Sequence, residues 1–297
     1  MSLPALPCHL NGRYTTTDQA TVSVFDRGFI FGDGIYEVVP FYGGKPFRLE
    51  QHLARLERSL SAVLMRNPHT PAEWRTMVCQ LVEQLGAQLG LTPEQFDQTV
   101  YLQVTRGVAV RDHVIDPTLA PTVFAYANRW TPPSDEMVQH GVRCVTADDF
   151  RWEMAHVKSI SLMGAILARD LSHRMGATET VMFRHDMLSE AAASNVWIVK
   201  QGTVIGVPRS HLSLEGIRYG VLDTLCAALG IGFELRPVSR EEVLTADEVL
   251  LTSASKEVLA VVQLDNQPVG AGVPGPVALR LQAAYRAWAR SGADTPT

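Results

Sequence analysis

The spacing of apolar residues changes several times along the chain, and each change marks out an element. Between about residues 8 and 47, short apolar runs are broken by the turn signals Asn11-Gly12 and Gly43-Gly44, the second just ahead of Lys45-Pro46. This pattern predicts an antiparallel opening. Leu49, Leu53, Leu56, Leu60 and Leu64 then recur at helical spacing, the stripe of a long amphipathic helix, and a second helix is predicted over Ala72 to Leu89. TVYLQVTRGVAV (99–110) and PTVFAYA (121–127) alternate as strands do. ANRWTPPSDE then sets two prolines among polar residues, a composition that neither helix nor central strand continues through. The expected organisation is therefore a smaller N-terminal α/β domain over 1–127, a linker near 128–136 and a larger C-terminal domain over 137–297. In the latter, GVRCVTA, TVMFRH and NVWIVKQG read as strands. ISLMGAILARDLSHRMG and YGVLDTLCAALG read as helices closed by glycine, and Pro276 to Ser291 as a terminal helix. No internal repeat is visible.

Composition narrows the class. Of 297 residues, 46% are hydrophobic and 19% charged, without low-complexity tracts, enough apolar material for two large cores in a mixed α/β (α+β) protein. The net charge of −5 comes with no basic run, which argues against nucleic acid or a membrane surface and leaves small molecules as expected partners. Cys8, Cys79, Cys144 and Cys226 lie far apart, with neither metal-knuckle spacing nor the density of a disulfide scaffold; reduced thiols and no metal are expected. MSLPALPCHL has no cationic start followed by an apolar stretch, and no run approaches the ~18 residues that span a bilayer, so the cytoplasm is the expected location.

Lysine usage is the first chemical signal, because only four of the 26 basic residues are lysines: Lys45, Lys158, Lys200 and Lys256. Lys45 and Lys200 sit in turns, where a solvated amine is ordinary. Lys158, in AHVKSIS, lies between a strand-like region and a helix start, a place that suits a buried amine, although a lysine so placed is more often simply solvated.

Further segments give that lysine a context. FDRGFIFGDGIYEVVPFYGGKPFRLEQHLARLERS, YLQVTRGVAVRDH, HVKSISL, LSEAAASNVWIV, LSLEGIRYGVL and LLTSASKEVLAVV resemble, in order and spacing, the class IV aminotransferases, a group that holds branched-chain aminotransferases, D-amino-acid transaminases and aminodeoxychorismate lyases. The resemblance spans nearly the whole chain. It implies fold type IV with pyridoxal 5'-phosphate between the two domains, bound as a Schiff base on Lys158. Glu190 then matches the acid facing the pyridine nitrogen, and Arg55 the arginine that pairs with the phosphate. Gly216, Ile217 and Arg218 would add backbone contacts to the phosphate at a helix start, Leu214 would pack on the ring, and Ser253, Ala254 and Ser255 would form a second phosphate-contacting turn. Taken without the resemblance, Glu190 is a surface acid at a strand start and Arg55 a solvated helix-face residue. Two departures stand out: Arg218 replaces a frequent threonine, and the run after Glu190 is alanine-rich where hydroxyls are common.

Within that group, TRGVAVRDH is similar to the D-amino-acid transaminase motif, in which Arg111 and His113, with Tyr36, would hold the substrate α-carboxylate. The blander reading makes Arg111 and His113 solvated loop residues. The motif implies transfer between D-amino acids and a 2-oxo acid such as 2-oxoglutarate or pyruvate, and a homodimer whose substrate loop crosses the interface. A branched-chain or (R)-amine transaminase and an aminodeoxychorismate lyase stay open as alternatives, as does a non-catalytic binder of the cofactor, against which Lys158, Glu190 and Arg55 together speak.

Overall fold

The computed structural model describes residues 4–293, so the extreme ends of both expected domains, 1–3 and 294–297, lie outside the described residues. The chain divides into two units: the residues up to Thr131 with Val157–Leu162, and Pro132–His156 with the chain from Met163 onward.

In the first unit, β1 (Pro7–Leu10) and β2 (Arg13–Thr16) form a hairpin across Asn11-Gly12. The short helix α1 (Arg27–Phe31) leads into β3 (Gly34–Tyr42), and Gly43-Gly44 turns the chain into β4 (Lys45–Pro46). Helices α2 (Leu49–Ala62) and α3 (Pro71–Leu89) follow, then β5 (Gln98–Thr105) and β6 (Thr122–Arg129). The six strands lie in the order β2-β1-β6-β5-β3-β4, every pair antiparallel. Leu53, Leu56 and Leu60 of α2 join Trp74, Leu81 and Leu85 of α3 over Ile35, Val39, Val100 and Leu102 in one core. Thr70 and Glu73 close a capping box at the start of α3, with Pro71 in the first turn.

Three features differ from the apolar pattern. Leu64, expected on the stripe of α2, lies past the helix end at Ala62, at φ 57° and 77% exposed. The strand expected over 99–110 stops at Thr105, because Gly107, at φ 103°, turns the chain away so closely that a Cβ there would lie 2.1 Å from the Ala120 carbonyl oxygen. Val157–Leu162, expected in part to open a helix, instead extends the sheet beside the start of β3: the Tyr36 amide donates to the Lys158 carbonyl (3.0 Å) and the Ile160 amide to the Gly34 carbonyl (2.9 Å). Backbone pairing thus carries Lys158 into the first unit.

The second unit begins with α4 (Asp135–His140), β7 (Val142–Asp148), α5 (Met163–Arg174), β8 (Glu179–Arg184) and β9 (Met187–Ala191). It continues through β10 (Asn195–Lys200), β11 (Thr203–Gly206), α6 (Arg218–Leu229), β12 (Gly232–Leu235) and α7 (Arg240–Leu244). β13 (Glu248–Ser253), β14 (Glu257–Leu264), β15 (Gln267–Pro268) and α8 (Pro276–Ser291) complete it. The nine strands run β12-β11-β10-β13-β14-β7-β8-β9, with β15 on β14. Parallel pairs (β11 with β12, β14 with β7, β7 with β8) are mixed with antiparallel ones. Strands β10 and β13 are buried on both faces, which is why their apolar runs do not alternate. Among the described residues no helix is long and apolar enough to cross a membrane, and the four cysteines are free.

Candidate active site

Strand alternation sets up the chemistry of the first unit. Ile35, Glu37, Val39 and Phe41 of β3 point to the helical layer and are buried, and Glu37, 0% exposed, is the one acid in that row. Two residues of α2, three apart and so on one face, meet it there. His52 Nδ1 lies 2.7 Å from Glu37 Oε2, and Arg55 donates from Nε to Oε1 (2.7 Å) and from Nη2 to Oε2 (2.8 Å). Burial pushes the Glu37 carboxyl up, but the Arg55 guanidinium and His52 outweigh it and hold the group well below the usual carboxylate range. The fork of Arg55 is thereby fixed in one plane. Neither Glu37 nor His52 stood out in the sequence; the signal was an acid on the apolar face of an alternating strand.

Tyr36 lies on the other face of β3. Its ring stacks on Tyr101 of β5 (centroids 5.7 Å apart, planes 26° apart), and the Lys158 Nζ stands 4.1 Å from its centroid. Lys158 is half-buried rather than buried. Its main chain is tied on both sides, its carbonyl to the Tyr36 amide and its own amide donating to Ser59 Oγ at 3.4 Å. Arg111 and His113 project from the loop after β5 and meet at Phe31, the last residue of α1: the Arg111 Cζ is 5.2 Å and the His113 ring 5.4 Å from its ring centroid. The structure thus gathers Lys158 with Tyr36 and Arg111 with His113.

In the second unit Glu190, on β9, is buried and holds three donors. Arg151 Nη1 reaches Oε1 at 2.6 Å, while the Asn195 side-chain amide (3.2 Å) and the Leu214 backbone amide (3.1 Å) reach Oε2. Arg151 is itself gripped by Asp149, Nε to Oδ1 at 2.9 Å and Nη2 to Oδ2 at 2.8 Å. Burial raises the Glu190 carboxyl above the ordinary range; the Arg151 charge pulls the other way without fully offsetting it. Arg151 and Asn195 were not singled out from the sequence, since DFRWEMAH has no period and Asn195 opens an ordinary apolar strand.

Asn195 also holds the Leu214 carbonyl (2.9 Å), and its Oδ1 comes so near Gly216 that a Cβ there would lie 2.0 Å away. Glycine at 216 thus lets one asparagine brace the Leu214–Gly216 turn against the Glu190 strand. At the head of α6, Ile217 offers no side-chain cap to the first turn. The Arg218 side chain turns away and donates to the Tyr285 hydroxyl of α8 at 2.6 Å. Ser253 ends β13, and Ala254 and Ser255 lie in the turn to β14, where Ser253 Oγ accepts the Lys256 amide (3.0 Å) and lies 3.4 Å from Ser255 Oγ. Lys256 Nζ pairs with the buried Glu179 (2.8 Å), which also accepts from Ser194 Oγ (3.1 Å).

These donor sets fit the groups of pyridoxal phosphate. A buried acid beside an arginine suits a protonated ring nitrogen, an uncapped helix start and a hydroxyl-bearing turn suit a phosphate, and a tethered lysine amine suits an aldehyde.

Comparison with known proteins points the same way. Residues 34–264 match a family model described as Amino-transferase class IV. The D-alanine aminotransferase of Bacillus licheniformis is 35% identical over 276 residues, covering 93% of this chain and 94% of that protein. The D-alanine aminotransferase of Staphylococcus haemolyticus is 33% identical over 283 residues, covering 95% and 97%. Among solved structures, a T.th. branched-chain amino acid aminotransferase with pyridoxamine 5'-phosphate superposes with a TM-score of 0.88 at 23% identity, covering 99% of this chain and 97% of that one, a likeness of fold.

Proposed function

Since this chain belongs to the class IV aminotransferases, which use pyridoxal 5'-phosphate, we propose that it moves the amino group of D-amino acids to a 2-oxo acid such as 2-oxoglutarate or pyruvate. The observation that carries the D-specific part is the Arg111 and His113 pair gathered at Phe31. A planar guanidinium with a second donor beside it recognises an α-carboxylate, and with Tyr36 it would fix which face of the α-carbon is presented. The names of the relatives support the same substrate class.

When bound, the cofactor supplies the aldehyde that receives the amino group and a ring that takes up the electron pair left at the α-carbon. Lys158 would hold it through Nζ and, once the substrate's amine had displaced Nζ, would take the α-proton on the freed amine, beneath which the Tyr36 ring lies. Glu190 keeps a proton on the ring nitrogen, and Arg151 favours the ionised carboxylate that this needs. The Leu214 side chain would pack against the ring, and the Leu214 amide is pinned to Glu190. Arg55, oriented by Glu37, would bind the phosphate, as would the backbone at Gly216, Ile217 and Arg218 and the stretch Ser253, Ala254 and Ser255. Apolar side chains left open at Phe29 (72% exposed), Val110 (83%) and Met163 (69%) support a second copy of the chain as partner.

The test is holoenzyme with 2-oxoglutarate and either D-alanine or L-leucine as donor. The expected preference for D-alanine is at least ~100-fold in kcat/KM. Equal rates on the two donors would refute the D-specific reading and leave the family as it stands.

A further inference from the structure

The stretch 110–118, which carries Arg111 and His113, is exposed; the loop is held at its start, where the Ala109 amide donates to the Phe25 carbonyl (3.2 Å), and again at Asp112, which lies between the two side chains. Arg27 Nη1 donates to the Asp112 carbonyl at 2.6 Å. Arg27 is buried and is fastened in turn: its Nε donates to Asp33 Oδ2 at 2.8 Å, and the same oxygen accepts Arg106 Nε at 2.8 Å. Arg106 also holds the Val63 and Leu64 carbonyls just past α2 (2.8 and 3.1 Å), so the chain of contacts runs from the loop into the helical layer. Phe31 completes the arrangement. Its ring lies under the Arg27 guanidinium (4.8 Å to the centroid), under that of Arg111 (5.2 Å), and against the His113 ring (5.4 Å). The Asp33 carboxylate pairs with both Arg27 and Arg106, whereas none of the ion pairs among the described residues involves Arg111.

We propose that Arg27 and Phe31 are positioning residues for the substrate carboxylate: Arg27 fixes the main chain between the two recognition side chains, and the Phe31 ring seats the Arg111 guanidinium and the His113 imidazole before substrate arrives. The proposal rests on the reading of Arg111 and His113 as the carboxylate-binding pair. Its physical basis is that a solvated arginine on an unanchored loop must be ordered each time a ligand binds, and a preformed seat removes that cost from the binding step. A ring face holds a guanidinium while leaving its N–H edge open to a carboxylate. The clamp lies wholly within the chain that carries the loop, whichever subunit's substrate the loop serves.

The proposal predicts a split between binding and chemistry, because neither residue is proposed to touch the reacting atoms. Single-turnover reaction of the holoenzyme with D-alanine, followed by the loss of cofactor absorbance over a range of concentrations, separates a half-saturating concentration from a maximal rate. Phe31→Leu keeps an apolar side chain at a half-buried position and loses only the aromatic face. It should raise the half-saturating concentration about tenfold with little change in maximal rate, and Phe31→Tyr should restore most of the loss. Arg27→Met should act in the same direction. Arg111→Ala calibrates the assay, with an expected loss of at least ~30-fold in the ratio of maximal rate to half-saturation. If Arg111→Ala is damaging while Phe31→Leu is inert, or if Phe31→Tyr is as weak as Phe31→Leu, the seat is wrong. A fall in maximal rate or in cofactor absorbance with half-saturation unchanged also overturns it. An inert Arg111→Ala removes the carboxylate reading beneath it instead.

Discussion

Removing a carboxylate from water leaves it two options, a cationic partner or a proton. Glu37 takes the first, with Arg55 in a two-point grip and His52 alongside, and its carboxyl is held low. Glu190 is the contrasting case: burial raises its carboxyl and Arg151 pulls the other way, so its ionised form leans on Arg151. Replacing Arg151 with methionine should push the Glu190 carboxyl further up and weaken its hold on a proton at a ring nitrogen. The expected result is a loss of about 10- to 100-fold in the rate of α-proton removal. Glu190→Gln should lose a similar amount, and the double variant should be no slower than Glu190→Gln, since both changes act through one carboxyl. The measurement is the single-turnover rate with α-deuterated D-alanine, and additive losses would show that Arg151 acts by another route. Lys158, Glu190 and Arg55 stand out in the sequence through the class IV resemblance of the runs that carry them, and the structure buries Glu190 and Arg55 where their surroundings alone suggest solvent. Arg151 was not, because its significance arises only where an aperiodic loop folds against β9.

Strand β3 shows how one element serves two environments. Its alternation places Glu37 among core side chains and Tyr36 with Tyr101 and Lys158 on the opposite face. Glu37→Gln would leave Arg55 buried against a neutral amide and should cost about 3–5 kcal/mol of stability at pH 7. The folded carboxyl titrates below its unfolded value of roughly 4.3, so in acid the unfolded chain binds more protons. The contribution of the pair is therefore complete above about pH 4.3 and shrinks as the pH falls below it. Urea midpoints of the wild type and Glu37→Gln should accordingly draw together between pH 7 and pH 3.5, and a constant gap would contradict an ionised Glu37. Period alone located α2, α3, α8 and most strands, since each buries one face or both. It missed the end of β5 and the strand-like pairing of Val157–Leu162, because Gly107 turns against Ala120 and Lys158 pairs with Tyr36, contacts between residues distant in sequence.

On the scale of the whole chain, the open apolar face of α5, with Met163, Ile166 and Leu167 at 69, 58 and 53% exposure, is where a second copy should cover the first. Light scattering should give twice the chain mass of 32.6 kDa, and Ile166→Asp should shift the population toward single chains; a wild-type mass of one chain would rule the pairing out. The path of the backbone has its own effect, because it passes from one unit to the other after Thr131, returns after His156 and leaves again after Leu162. No single break in the gene separates the units. A fragment ending at Thr131 would expose the main-chain groups of Gly34 and Tyr36 that Ile160 and Lys158 satisfy, an open edge inviting strand addition from another molecule. On the ribosome the same edge stays unmatched until the polypeptide has been made past Leu162, so the residue proposed to carry the cofactor is also among the last to join the sheet of its own unit.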